Sequence, residues 1–91
     1  MTMNPASLKL EQEGLASALQ RAGENLDGTE GDVILDFSFV RRINPPALIA
    51  LTEFANMAHE KHVVVTLQGV NVDVYRVLKL SKLAHRFSLV N

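Results

Sequence analysis

Three sets of residues in this 91-residue chain have types and spacings that could do chemistry. The first is Asp36, inside the apolar run Val33–Val40. A carboxylate near a strand end can act as a phosphoacceptor. The paired acidic residues that would hold Mg²⁺ beside it are absent, so a buried or capping carboxylate is the better reading. The second set is His59, His62 and His85. His59 and His62 have i, i+3 spacing, but a helix end is expected between them and the chain has no cysteine. A metal site needs convergent ligands, and this pattern does not supply them. The third set is Arg41, Arg42, Asn44, Pro45, Pro46 and Ala47, where a strand runs into a helix. Sites in open α/β sheets gather at that kind of junction, beyond the carboxyl ends of the strands. The chain has no phosphate-binding G-x-x-x-x-G-K loop and no nucleophile elbow. No catalytic residue, cofactor or metal is expected, and the chain does not read as an enzyme.

The junction reads better as a docking surface. The Asn44 side-chain oxygen can cap the helix. Pro45 then takes the first helical position, where its missing N–H costs nothing, and Pro46 is tolerated in the same turn. The plain reading is a capped, rigid first turn. The functional reading adds that such a turn loses little entropy when a partner binds it. Ile49 is the clue from helical geometry. At 100° per residue, Ala47, Leu48, Leu51, Phe54, Ala55 and Ala58 form one apolar arc. Ile49 falls instead among Glu53, Asn56 and Glu60. A lone exposed apolar residue is ordinary, but beside Pro45 and Pro46 it could complete a small patch of the kind found at interfaces. Met57 could extend that patch or fill a core gap. Arg41 and Arg42 could flank it for an acidic partner, or could simply be solvated. Late in the chain, Lys79, Lys82, His85 and Arg86 make a basic cluster, read as a solvated face with phosphate or membrane-surface contact as the lesser option.

The elements that would position these residues follow from periodicity. Met1 to Ala6 is expected to fray. Ser7–Glu11 alternates and suits a short edge strand. From about Glu13 a helical pattern places Leu15, Leu19, Ala22 and Leu26 on one face, weakened by Gly14 and Gly23. Asp27–Asp32 is expected to be a loop. Val33–Val40 reads as a strand covered on both faces. A helix over about Pro45–Lys61 follows, then a strand over His62–Gln68 ended by Gly69. Asn71 should cap a third helix that carries Val74, Val77 and Leu78 and closes at Ser81–Ala84. Phe87–Val90 is the last strand. The order β-α-β-α-β-α-β implies a largely parallel sheet with right-handed crossovers.

Composition limits the alternatives. The chain is 47% hydrophobic and 21% charged, an ordinary globular balance. Nine basic against ten acidic side chains give a formal charge of −1, which does not predict a nucleic-acid-binding face. No apolar run approaches the roughly 20 residues of a membrane span, and no signal peptide is read at the N-terminus. The absence of cysteine fits a reducing cytoplasm.

Leu35-Asp36-Phe37-Ser38, followed by Ile43-Asn44-Pro45-Pro46-Ala47-Leu48, resembles the pattern of the STAS-domain family, an LDLS-type strand end and an I-D-S-S-G-L-type helix start. Val63–Gly69, Asn71 and Val74-Tyr75-Arg76-Val77-Leu78-Lys79-Leu80 are similar to that family's later strand and helix, with Leu83 and Phe87 closing the match. The resemblance spans roughly residues 33–90. Val65–Asn71 with Val74-Tyr75 particularly resembles the STAS subunit of bacterial phospholipid ABC transporters. The resemblance implies one α/β domain over residues 1–91, with about four strands in a small parallel or mixed sheet and three to four helices. It also implies a protein-binding regulator similar to anti-sigma-factor antagonists. The partner would be an anti-sigma factor or related kinase-like protein, met through Arg41, Arg42, Asn44, Pro45, Pro46, Ala47, Ile49 and Glu53. The alternative partner is the ATPase of a bacterial lipid ABC transporter. Location would be cytoplasmic, at the inner membrane only through such a partner.

Two departures from the family pattern stand out. Where antagonists carry aspartate-serine-serine-glycine, with a phosphorylated serine, this chain has Asn44-Pro45-Pro46-Ala47 and no hydroxyl. Phosphorylation is therefore not carried over. Family members also usually place two strands before the first helix, and only about ten residues are available here. A smaller sheet is expected, or an edge completed by a partner strand, which leaves pairing with a second copy open.

Overall fold

In a computed structural model, residues 6–28 and 32–90 are described. Strand β1 covers Ala6–Glu11, helix α1 Leu15–Glu24, β2 Val33–Phe39, α2 Pro45–Glu60, β3 Val65–Gln68, α3 Val72–Leu80 and β4 Ser88–Val90. Short 3₁₀ turns occupy Asn25–Gly28 and Ala84–Arg86. The alternating order is the one the periodicity predicts. Ala6 already belongs to β1, whereas residues 1–5 and 29–31 of the expected frayed start and loop lie outside the described residues.

Local chemistry accounts for the boundaries. Gly14 stands before α1 at φ 74°, a backbone state that suits glycine, so it starts the helix rather than weakening its interior. The third strand begins three residues later than expected, because His62 and Val63 are used to end α2. His62 sits at φ 58° and its N–H bonds to the His59 carbonyl, while the Val63 N–H reaches back to Ala58 at 2.9 Å. These paired bonds form a Schellman stop. The same device ends α3. Lys82 sits at φ 60°, its N–H bonds to the Lys79 carbonyl, and the Leu83 N–H reaches Leu78 at 2.8 Å. Leu83 and Leu78 are both buried, the apolar contact that accompanies this motif.

The strands lie in the order β1-β2-β3-β4 and every neighbouring pair is parallel. Sequential order and right-handed crossovers together put every connecting helix on one face of the sheet. Burial agrees: Val33, Leu35 and Phe37 of β2 are buried, while Ile34 and Asp36 between them are only half-covered. The expectation that β2 is covered on both faces is therefore corrected. Its continuous apolar run suggests two covered sides, but the register sends Ile34 and Asp36 to an open face beside Lys9, Thr66 and Gln68. A bulge between Lys9 and Glu11 disturbs the β1–β2 pairing, and Phe39 is turned out, with the Lys9 ammonium 4.1 Å from its ring centre. That cation–π contact covers part of an otherwise exposed aromatic.

One core lies between the sheet and the helices. It gathers Leu10, Leu19, Leu35, Phe37, Leu51, Phe54, Leu67, Val74 and Leu78. Helices α1 and α2 pack closely at Gly23, where a Cβ would fall on the Met57 methyl. Gly23 therefore provides room for helix contact, which offsets its poor helix propensity. Met57 is part of this packing and does not extend a surface patch.

Candidate docking site

The loop from Val40 to Asn44 carries the strand-to-helix junction, and two carboxamides from distant parts of the chain hold it. Gln12, just after β1, accepts from the backbone N–H of Arg41 at 2.7 Å and of Arg42 at 2.9 Å through Oε1. Its Nε2 donates to the Arg42 carbonyl at 3.0 Å. From the other side, the Asn71 Nδ2 donates to the carbonyls of Val40 at 3.2 Å and Arg41 at 3.1 Å. The Asn71 Oδ1 meanwhile accepts from the Val74 N–H at 2.8 Å and caps α3. Asn44 caps α2 in the expected way, accepting from the Ala47 N–H at 3.0 Å. Pro45 and Pro46 fill the first two helical positions.

The backbone of the junction is thus fixed at several points, and most of its polar and proline side chains face outward. Arg41, Arg42, Asn44, Pro45, Pro46 and Glu53 are exposed, and Ile49 is 61% exposed. Ala47 is fully buried and anchors the turn to the core. Ala47 therefore belongs under the surface rather than on it. Ala50, not assigned to the apolar arc, is also buried. The Thr52 hydroxyl donates to the Leu48 carbonyl at 2.8 Å.

Asp36 lies in the middle of β2, not at its end. Its carboxylate accepts from the Ser38 N–H at 2.9 Å. Hydrogen bonds from the Ser38 side chain, then from its backbone, hold the Asp36 pKa below the ordinary carboxylate value, with a smaller contribution from Lys9. Asp36 is a locally bonded carboxylate beside the junction. Next to it, Gly69 adopts φ 75° and its backbone passes close to Ser38, so a Cβ there would lie 3.2 Å from the Ser38 Cα. This close approach seats the β3–α3 turn, and with it Asn71, against the end of β2.

The remaining candidates are spread elsewhere. Among the described residues no group of three or more His, Asp or Glu side chains gathers as a metal site. The late basic cluster divides. Arg86 turns to Asn56 of α2, donating to its Oδ1 at 2.8 Å, and lines a cavity with His59 and His85. Lys79 and Lys82 line a separate groove beside β4, which His85 also borders. No described helix is long and apolar enough to cross a membrane.

Sequence reasoning missed Gln12 and the second role of Asn71. Gln12 is one polar residue after a short strand, and nothing in its neighbourhood marks it. Asn71 is legible as a cap, but its free amide hydrogens gave no hint of their targets 30 and 31 residues away.

No protein-family model matches the chain. No curated protein matches it either. Solved structures do. One is a Thermotoga maritima protein assigned as an anti-sigma factor antagonist, with a TM-score of 0.68 and 17% identity, covering 98% of this chain and 76% of that one. Another is a sulfate transporter family protein from Wolinella succinogenes, with a TM-score of 0.80 and 19% identity, covering 98% of this chain and 79% of that one. At these identities the likeness establishes the fold. Over its described residues the chain has the STAS-like α/β fold, with a four-stranded parallel sheet and three helices.

Proposed function

We propose that this chain is a non-enzymatic, protein-binding regulatory module similar to anti-sigma-factor antagonists, docking through the strand-to-helix junction. The observation that carries the proposal is Ile49, 61% exposed one turn after the exposed Pro45 and Pro46. The loop leading into these apolar groups is held by Gln12 and Asn71 and their turn is capped by Asn44, so a partner would meet a surface already in place. Arg41, Arg42 and Glu53 border the patch and would supply orientation through charge. Residues 44–47 carry no hydroxyl, so regulation would not use phosphate on this turn. Control would come from partner abundance or from another site.

A second reading keeps the surface and changes the partner. The chain would be an accessory subunit on the cytoplasmic ATPase of a bacterial lipid ABC transporter, peripheral to the inner membrane through that contact. Val65–Asn71 favours it. This stretch resembles the transporter subunit, and it forms β3, the Gly69 turn and the Asn71 clamp that sets the junction. The Wolinella protein of like fold bears a transporter name as well.

Affinity capture from native cytosol and from membranes, with identification of what is retained, separates the readings. A sigma-regulatory kinase-like protein supports the first, and a transporter ATPase supports the second. Retention of neither, under conditions that preserve known complexes of both kinds, contradicts the proposal. Incubation of the chain with a captured kinase and ATP should leave residues 44–47 without phosphate. Phosphate on Ser38 or Thr52 would locate the control there.

A further inference from the structure

The sheet has two outer strands, and their free edges differ. On β1 the edge is blunted, with a bulge between Lys9 and Glu11 and both of those side chains charged. These devices discourage another strand from adding. On β4, Ser88-Leu89-Val90, there is no charge, no proline and no register shift. The Gly69 N–H donates to the Val90 carbonyl at 3.3 Å, so the peptide groups of Val90 face β3. Backbone groups alternate in direction along a strand, so the N–H and C=O of Leu89 point away from the sheet, where an added strand would pair.

Leu89 is also the wall common to two concavities. One, of about 250 Å³, is lined by Val70, Val72 and Val90 together with Tyr75 and the Asn71 that also holds the junction loop. The other, of about 560 Å³, is lined by Lys79, Lys82 and His85, again with Tyr75. No aspartate or glutamate lines either one. Side by side they make a groove along β4, apolar at the end where the strand finishes and cationic at the end where it begins.

We propose that this groove is a second docking site, separate from the α2 junction, which takes an acidic extended segment of a protein partner as an added strand. Leu89 would exchange two backbone hydrogen bonds with the segment, the mode of strand addition to a sheet edge. Because β4 is short, side chains must supply most of the discrimination. An apolar side chain of the segment enters the seat beside Val72 and Tyr75, and its carboxylates meet Lys79 and Lys82. A second copy of this chain is the poorer occupant. Of its two edge strands, Ser88-Leu89-Val90 carries no carboxylate to answer those two lysines, and β1 is blunted by its bulge and by Lys9. The proposal does not depend on which partner uses the junction.

The test is selection of short random peptides against the intact chain, followed by titration of the best free peptide into isotope-labelled protein. The expected peptides alternate apolar with acidic residues, and the largest amide shifts fall on Leu89 and Val90. The K79E/K82E double variant should weaken binding by about tenfold or more with an unchanged thermal midpoint, and Ile49→Asp should leave it unaltered. Several outcomes overturn the proposal. They are recovery of no binding peptide, enrichment without acidic residues, shifts centred on residues 44–49, and concentration-dependent shifts at Leu89 without peptide, which would identify a second copy as the occupant.

Discussion

Gln12 and Arg42 lie 30 residues apart, and two hydrogen bonds join the Gln12 carboxamide to the Arg42 backbone: one to its N–H at 2.9 Å and one from Nε2 to its carbonyl at 3.0 Å. A side chain that mimics a peptide group thereby extends β1 pairing past the end of β2. The loop that carries the candidate docking surface is held as part of the sheet rather than as a free connection.

Gln12→Ala removes both of these bonds and the one from the Arg41 N–H. Net values for single hydrogen bonds lead to an expected loss of about 1–2 kcal/mol, at the low end for such exposed groups. Denaturant unfolding measures that loss. Amide hydrogen exchange localises it, with faster exchange expected at Arg41 and Arg42 and little change in the core strands. Unaltered exchange at those two amides would show that Gln12 does not hold the loop.

Gly69→Ala should be costly for two reasons. The backbone is at φ 75°, and the new Cβ would press on Ser38. The left-handed state alone costs a non-glycine residue roughly 1–2 kcal/mol, and the contact adds to it. The urea midpoint should fall, and the cap signal of the Asn71 side chain should shift as the β3–α3 turn moves. A midpoint equal to that of the native chain would mean that the turn relaxes freely and does not seat Asn71.

The fold was legible because its signals are local. Alternation marks β1, the apolar run marks β2, and Asn44 with Pro45 marks the start of α2. Where reading failed, the cause was a competing local device or a distant contact. His62 and Val63 look like strand residues because of the following valines, yet a Schellman stop claims them. The β2 run looks two-sided because Ile34 is apolar, although strand order leaves that face open. In the junction, residue type and helix phase made Ile49 and Asn44 legible. The clamps by Gln12 and Asn71 depend on which strands become neighbours, and no spacing along the chain encodes that. Ala47 was grouped with the surface because it lies within the turn, although helical phase had already set it on the apolar arc with Leu51 and Phe54, and the packing buries it there.

Asp36 gives a pH-dependent prediction with a definite sign. Its folded pKa lies below the ordinary 3.8, mainly because of Ser38. The stability it contributes is therefore present above about pH 4 and is lost as pH falls through the lower folded value. In a carbon-detected titration, Ser38→Ala should raise the Asp36 pKa toward 3.8. In unfolding experiments the gap between native and Ser38→Ala chains should narrow in acid. An Asp36 pKa insensitive to this substitution would rule out the Ser38 hydroxyl as its leading cause.

The central claim is that an exposed, preset apolar patch at the start of α2 binds a protein partner. The most direct measurement is the affinity of the captured partner for the native chain and for Ile49→Asp, taken together with the thermal midpoint of each. Because Ile49 is 61% exposed, the midpoint should change little. A charge placed in an apolar contact should weaken binding by about 2 kcal/mol or more, the scale of an interface hot spot. Full-strength binding by a folded Ile49→Asp chain would contradict the claim, and a large fall in the midpoint would show that Ile49 serves the core.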